Sequence, residues 1–367
     1  MQIICDGLDL SDAVLKVSKA ISTRTTNPIL EGIKLVASED TLTLSATDTE
    51  LSIEKKIKAD VKVEGETVVP GKFFTEFMKK LSNEKIELEL NNQNQLKIRY
   101  MDSESFIQCF VTKEYPSFNI IDSKDKFSIS NLNLKNLINK SIFSVAIDDS
   151  RPILKGTLLE INSKQVKAVA LDGYRLAMVT EPVIESSVNG GVIVPARSLS
   201  EIAKLLNDSD DKVTIFIDSK YIMVDLGDTK VISRILEGEF LNYKQIIATE
   251  FTTEVVINKA QLTDALERAS LLSKVGQNNL VKFDIKENNL LLTSNSEIGN
   301  VKENISINQQ GKDLFIAFNA RYFMEAFRTN NDDFVKIKFN SASNPCVVVP
   351  ASGNEEYLYL ILPVRIL

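Results

Sequence analysis

The sequence predicts an α+β protein built from three tandem copies of one domain, each pairing antiparallel sheet with two short helices. The first observation is repetition. Pro28-Ile29-Leu30-Glu31-Gly32 recurs as Pro152-Ile153-Leu154-Lys155-Gly156, and Ala46-Thr47-Asp48 recurs as Ala170-Leu171-Asp172, both displaced by 124 positions (28 to 152, 48 to 172). The second is helical periodicity at matched places in each copy, and the third is period-two alternation after each helix pair. With 367 residues, three copies of this size each have room for a core.

The elements follow in order. Segments 10–20, 132–143 and 259–270 place apolar residues at helical spacing, as in Leu10, Ala13, Val14 and Val17, or Leu262, Ala265, Leu266 and Ala269. A second amphipathic stretch follows in each copy: Phe73, Phe74, Phe77, Met78 and Leu81; then Leu199, Ile202, Ala203 and Leu206; then Tyr322, Phe323, Ala326 and Phe327. Ile86 to Leu90, Val213 to Ile217 and Val335 to Phe339 alternate apolar and polar residues, the pattern of strands with one wet face. Asn91 to Asn94, Asp218 to Lys220 and Glu287 to Asn289 interrupt such runs with residues that tolerate tight turns, so hairpins and an antiparallel sheet are expected.

The register persists elsewhere. Val69-Pro70 matches Val194-Pro195 and Glu114-Tyr115-Pro116-Ser117-Phe118 matches Glu239-Phe240-Leu241-Asn242-Tyr243, both displaced by 125 (70 to 195, 114 to 239). Phe318-Asn319-Ala320-Arg321-Tyr322 continues the series into a weaker third copy. Linkers are expected near 119–127 and 245–253, giving domains at 1–122, 123–248 and 249–367. Neither linker is rich in Gly or Pro, so the domains should pack in fixed relation.

Composition narrows the function classes. Hydrophobic residues make up 44% of the chain, no stretch approaches a transmembrane length, and the N-terminus does not read as a signal peptide, so a cytoplasmic protein is expected with no membrane role. Cys5, Cys109 and Cys346 are far apart and lack ligand spacing, so free, mostly buried thiols are expected and no metal. Histidine is absent, which removes the commonest general base, and no phosphate-cradling loop, dinucleotide Gly pattern or Gly-x-Ser-x-Gly turn occurs. No catalytic residue and no cofactor are expected.

The formal charge is −7, yet the six expected helical segments sum to +7, leaving −14 for the rest. Such sorting fits helices that face a polyanion. Lysines that merely solvate amphipathic helices give the same count.

Arg151 to Gly156, Ala170-Leu171-Asp172-Gly173-Tyr174-Arg175-Leu176-Ala177, Gly238 to Tyr243 and the terminal Leu362-Pro363-Val364-Arg365-Ile366-Leu367 together resemble the bacterial sliding clamps, the beta subunit of DNA polymerase III. The resemblance runs the full length. It implies two subunits joined head to tail in a ring, helices lining a central hole around duplex DNA, and sheets forming the outer wall. Implied partners are DNA, held topologically and without sequence preference, the DNA polymerase III catalytic subunit, a clamp loader, other clamp-binding proteins and a second copy of the chain.

The resemblance also implies a pocket for an extended partner peptide between the second and third domains. Its residues are Leu154, Leu171, Gly173, Tyr174, Arg175, Leu176, Leu241, Gln245 and Ile246, then Asn319, Tyr322, Ser343, Pro345, Leu360, Leu362, Pro363, Val364 and Arg365. The chemistry suits the role: aliphatic walls take apolar anchors, Gly173 permits close approach and Arg175 can bond peptide carbonyls. At Gln245 the family often has Arg, and the loop around Asn278 lacks an aromatic that some members carry. Arg24, Lys72 and Arg197 match DNA-facing cations. Ring closure is expected to pair Leu271 and Leu272 with Phe106 and Ile107 of the other subunit. The competing reading is a cytoplasmic β-rich enzyme with a duplicated domain, using Asp48 and Asp172 for acid-base chemistry.

Overall fold

The computed structural model describes the chain apart from residues 23, 82–83, 119, 274–278, 355 and 366–367. Among the described residues each repeat supplies nine strands and two α-helices in one order. In the first repeat the strands are Gln2–Asp6, Gly32–Ser38, Thr41–Thr47, Leu51–Lys58, Asp60–Val63, Gly65–Pro70, Lys85–Leu90, Gln95–Tyr100 and Ser103–Gln108. The fourth strands, Leu51–Lys58, Arg175–Pro182 and Gly299–Ser306, keep the 124-residue displacement throughout (51, 175, 299).

The helices are α1 (Gly7–Val17), α2 (Gly71–Met78), α3 (Asn131–Asn139), α4 (Ala196–Leu205), α5 (Lys259–Ser273) and α6 (Ala320–Phe327). Their starts have local causes. The Asp6 carboxylate accepts hydrogen bonds from the Leu8 and Asp9 amides at α1, Ser130 accepts from Asn133 at α3, and Asn319 accepts from Arg321 at α6. Each satisfies an amide that the first helical turn leaves unpaired. On α1, Leu10, Ala13, Val14 and Val17 form the buried face, and α1 packs on α2 as α3 packs on α4 and α5 on α6.

Sheets run across the repeats. The fourth strand of the first repeat pairs antiparallel with the ninth of the second (Thr229–Arg234), Ile53 facing Val231. The fourth strand of the second pairs in the same way with the ninth of the third (Tyr357–Ile361), Ala177 facing Tyr359. Each union makes a nine-stranded sheet, five strands from one repeat and four from the other. A five-stranded and a four-stranded sheet remain, ending on Ser103–Gln108 and Gly299–Ser306. The core lies between helices and sheets, with Phe74, Phe127, Phe283, Phe318 and Phe323 fully buried. No described helix is long and apolar enough to cross a membrane. Cys5, Cys109 and Cys346 are buried and unpaired, and burial raises the pKa of each thiol.

Candidate functional site

Where the second and third repeats meet, a separate apolar cluster forms beside the main core. Leu154, Leu171, Leu176 and Leu360 are its buried floor, together with Ala146, Val169 and Tyr243. Leu154 arrives on the short turn Pro152–Lys155, and its carbonyl accepts the Ala146 amide at 2.9 Å. Leu176 and Leu360 face one another across the strand pair that joins the repeats. Tyr174, Leu241 and Ile246 stand exposed at the edge, Gln245 beside them, and Leu362 packs half-buried on the cluster. Tyr243 anchors its segment by donating its hydroxyl hydrogen to Glu160 at 2.7 Å.

The C-terminal segment lies across both repeats. The Leu362 amide donates to the Tyr174 carbonyl (2.9 Å) and the Val364 amide to the Ala317 carbonyl (2.8 Å). Pro363 and Val364 are half-buried and Arg365 is exposed, with Ser343 exposed and Pro345 half-buried. The Asn319 side-chain oxygen is occupied as the cap of α6, and Tyr322 stacks on Tyr174 with ring centroids 6.4 Å apart.

One expected role is corrected and another gains a backbone cause. Gly173 has φ +92°, a left-handed conformation that favours glycine. That conformation lets the Asp172 carboxylate cap the turn, accepting from the Tyr174 and Arg175 amides at 2.9 and 3.0 Å. Arg175 is not free to bond a peptide. Its side chain is 5% exposed, and the guanidinium pairs with Asp172 (3.0 Å) and Glu325, donates to the Phe143 carbonyl (2.6 Å) and lies 4.8 Å from the Tyr322 ring. Burial pushes the Glu325 carboxyl up, but hydrogen bonds from Arg321 and Arg175 outweigh it and hold the group below its ordinary value. Arg175 therefore staples the two repeats together. Glu325, which sequence reasoning missed, had one signal: its i,i+4 spacing from Arg321.

The expected DNA-facing cations differ among themselves. Arg24 and Lys72 are exposed and make no ion pair among the described residues. Arg197, 52% exposed, pairs with Asp48 of the first repeat. Asp48 also caps its own turn through the Glu50 and Leu51 amides (3.0 and 2.8 Å), so both aspartates of the enzyme reading are fixed structural groups. The helix charge surplus is partly cancelled by acids elsewhere, as Lys135 meets Asp208 and Arg268 meets Glu303.

Of the expected closure residues, Phe106 and Leu271 are exposed and Leu272 is half-buried. Ile107 is 5% exposed and packs in the core of its own repeat, a correction that follows from side chains alternating across a strand. The Asn278 expectation lies outside the described residues.

Three family models match in succession: the DNA polymerase III beta subunit's N-terminal domain at residues 1–119, its central domain at 128–242 and its C-terminal domain at 244–365. A beta sliding clamp of Staphylococcus epidermidis is 34% identical over 357 residues, covering 95% of this chain and 94% of that one. The DNA polymerase sliding clamp of Bacillus subtilis superposes with a TM-score of 0.96 at 31% identity, and the beta subunit of Streptococcus pyogenes with 0.95 at 30%, each covering 100% of both chains. Nothing in these relatives supports the enzyme reading.

Proposed function

The chain belongs to the DNA polymerase III beta-subunit family, and on that premise we propose where it closes its ring, meets DNA and holds its partners. It is a DNA sliding clamp, a ring-shaped homodimer that encircles DNA and tethers the replicative polymerase, and it catalyses no reaction. Its site of action is the cytoplasm, and its three domains divide at 1–122, 123–248 and 249–367.

Ring closure uses the two sheet edges left open. Ser103–Gln108 is the ninth strand of its repeat and Gly299–Ser306 the fourth, the pair that joins repeats at both internal junctions. A second copy completes a third nine-stranded sheet, head to tail, twice around the ring. Repeat equivalence sets Lys302 against Glu104 of the partner subunit, where the internal rung holds Glu54 against Lys230. Phe106 lies on one edge, and Leu271 lies on α5, which packs along the other and is tied to it by Arg268 and Glu303 at 2.8 Å. Leu272 follows Leu271, while Ile107 takes no part.

Arg24 and Lys72 face the DNA with free charge, and Arg197 contributes only when Asp48 releases it. The buried leucine floor, with Tyr174, Leu241, Gln245, Ile246, Tyr322, Leu362, Pro363, Val364 and Arg365 around it and Asn319, Ser343 and Pro345 beyond, accepts an extended peptide. That peptide comes from the polymerase catalytic subunit, the clamp loader or another clamp-binding protein. The observation that carries this assignment is a buried apolar floor with an exposed aromatic and aliphatic edge at the junction of two repeats.

The test is fluorescence anisotropy with a labelled peptide from the polymerase catalytic subunit. Tyr174→Ala, Leu241→Ala and deletion of Val364–Leu367 should each weaken binding by about tenfold or more, with the dimer mass and circular dichroism near wild type. Unaltered affinity in all three would refute the assignment.

A further inference from the structure

Every internal junction brings the turn before a fourth strand close to the start of a second helix. Between the second and third repeats, Tyr174 of that turn stacks on Tyr322, the third residue of α6. The corresponding residues between the first and second repeats are Glu50 and Ser198. There the contact across the junction is the ion pair of the neighbouring Arg197 with Asp48, while Ser198 is buried against Ser233 of its own repeat at 2.7 Å. At the two open ends, the repeat displacement carries Tyr174 to Ile298 (174 to 298) and Tyr322 to Phe73, the third residue of α2.

Both of these are apolar and exposed, Ile298 by 68% and Phe73 by 56%. Within the chain Phe73 touches Phe77, at a centroid distance of 6.0 Å, and keeps the rest of its ring open. The charges around the two residues also differ from those at the internal junctions. Arg197 has Asp48 and Arg321 has Glu325, with Asp172 adding to the field at Arg321. The position equivalent to Asp48 and Asp172 is Ser296, and Lys72, equivalent to Arg197 and Arg321, makes no ion pair across a junction; the acid near it is Glu76 of its own helix, which pairs with Lys79. An apolar pair thus stands where the second junction stacks two tyrosines, beside positions that have lost the ion pair of the first.

We infer that Phe73 packs against Ile298 of the partner subunit as an apolar clasp at each ring closure, beside the strand pairing and not part of it. The inference rests on the ring closure proposed above. Because the clasp buries no charge, it should hold the ring at high ionic strength, where an exposed ion pair would be screened. It also leaves Lys72 exposed, with no ion pair among the described residues, to meet a phosphate.

The test places the photo-crosslinker p-benzoylphenylalanine at position 73. Irradiation of the purified dimer should yield a covalent dimer whose crosslinked peptide maps to Ile298 of the partner subunit. Phe73→Ala and Ile298→Ala should each raise the dimer dissociation constant about tenfold or more, and together by less than the product of the two effects, at low and high salt alike. A dimer that crosslinks only elsewhere, or independent effects of the two substitutions, would overturn the clasp and leave the ring standing. A monomeric wild type in light scattering would overturn both.

Discussion

Replacing Arg175 with alanine should loosen the third repeat from the second. The guanidinium makes charge-assisted bonds to Asp172 at 3.0 Å, to the Phe143 carbonyl at 2.6 Å and to Glu325, all with the side chain 5% exposed. Truncation leaves the Phe143 carbonyl without this donor and Glu325 with Arg321 alone. Breaking a buried pair in this way costs about 3–5 kcal/mol, a large part of an ordinary domain's stability of about 5–15 kcal/mol. Arg197→Ala is the control: its pair with Asp48 is half-exposed and should be worth about 1 kcal/mol or less. Lysine at 175 should not rescue, because a single ammonium cannot serve diverging acceptors. Three repeats need not unfold as one, so the assay is hydrogen exchange along Arg175–Pro182 and Tyr357–Ile361, supported by the urea midpoint. Arg175→Ala should speed exchange at this junction and leave Leu51–Lys58 unchanged. A loss below about 1 kcal/mol, equal to the Arg197 control, would refute the staple.

Phe106→Ala combined with Leu271→Ala should shift the light-scattering mass from dimer to monomer at micromolar concentration with circular dichroism unchanged; a persistent dimer would remove those residues from the closure. Glu181 titrates in the opposite sense to an ion-paired acid: burial, with Glu356 adding to it and Lys140 opposing it, raises its pKa from 4.5 to about 7. Between those values the folded state holds a proton that the unfolded state has lost, so this stabilisation fades as pH rises through about 7. Glu181→Gln should therefore raise Tm at pH 8 and change it little near pH 5; equal effects at both would show that desolvation of the carboxylate is not the cause.

Much of the fold was legible because a duplicated sequence prints its register twice. The Pro-Ile-Leu motifs fall on matching turns, Pro28–Glu31 and Pro152–Lys155, and the alternating runs became strands Lys85–Leu90, Lys212–Ile217 and Phe334–Phe339. The six helices lie within a few residues of the expected segments. What composition could not convey is pairing at a distance. Arg197 reads as a free cation until Asp48, 149 residues away, is placed beside it, and Arg175 reads as a peptide ligand until Phe143 and Glu325 enclose it. Local geometry says more than was read from it at two places. Neighbours on a strand face opposite ways, so Phe106 and Ile107 could not both lie in one exposed patch. Gly173 precedes an exposed tyrosine in a capped turn, where backbone conformation is the commoner reason for glycine. Phe73 reads as one more apolar residue of its helix, though it is 56% exposed, and Ile298 attracts no attention, because each matters only through its equivalence to Tyr322 and Tyr174.

Whether a closed ring is held on DNA by topology is decided by loading the protein onto a circular duplex with an ATP-driven clamp loader and then cutting the circle. With a net charge of −7, simple electrostatic binding to DNA should be weak and should fall further with salt through the counterion term. Loaded protein should stay on the intact circle at salt concentrations that abolish binding to short linear duplex, and should leave as soon as free ends exist. Retention on the linearised DNA, or tight binding to short linear duplex at physiological salt, would contradict a topological hold.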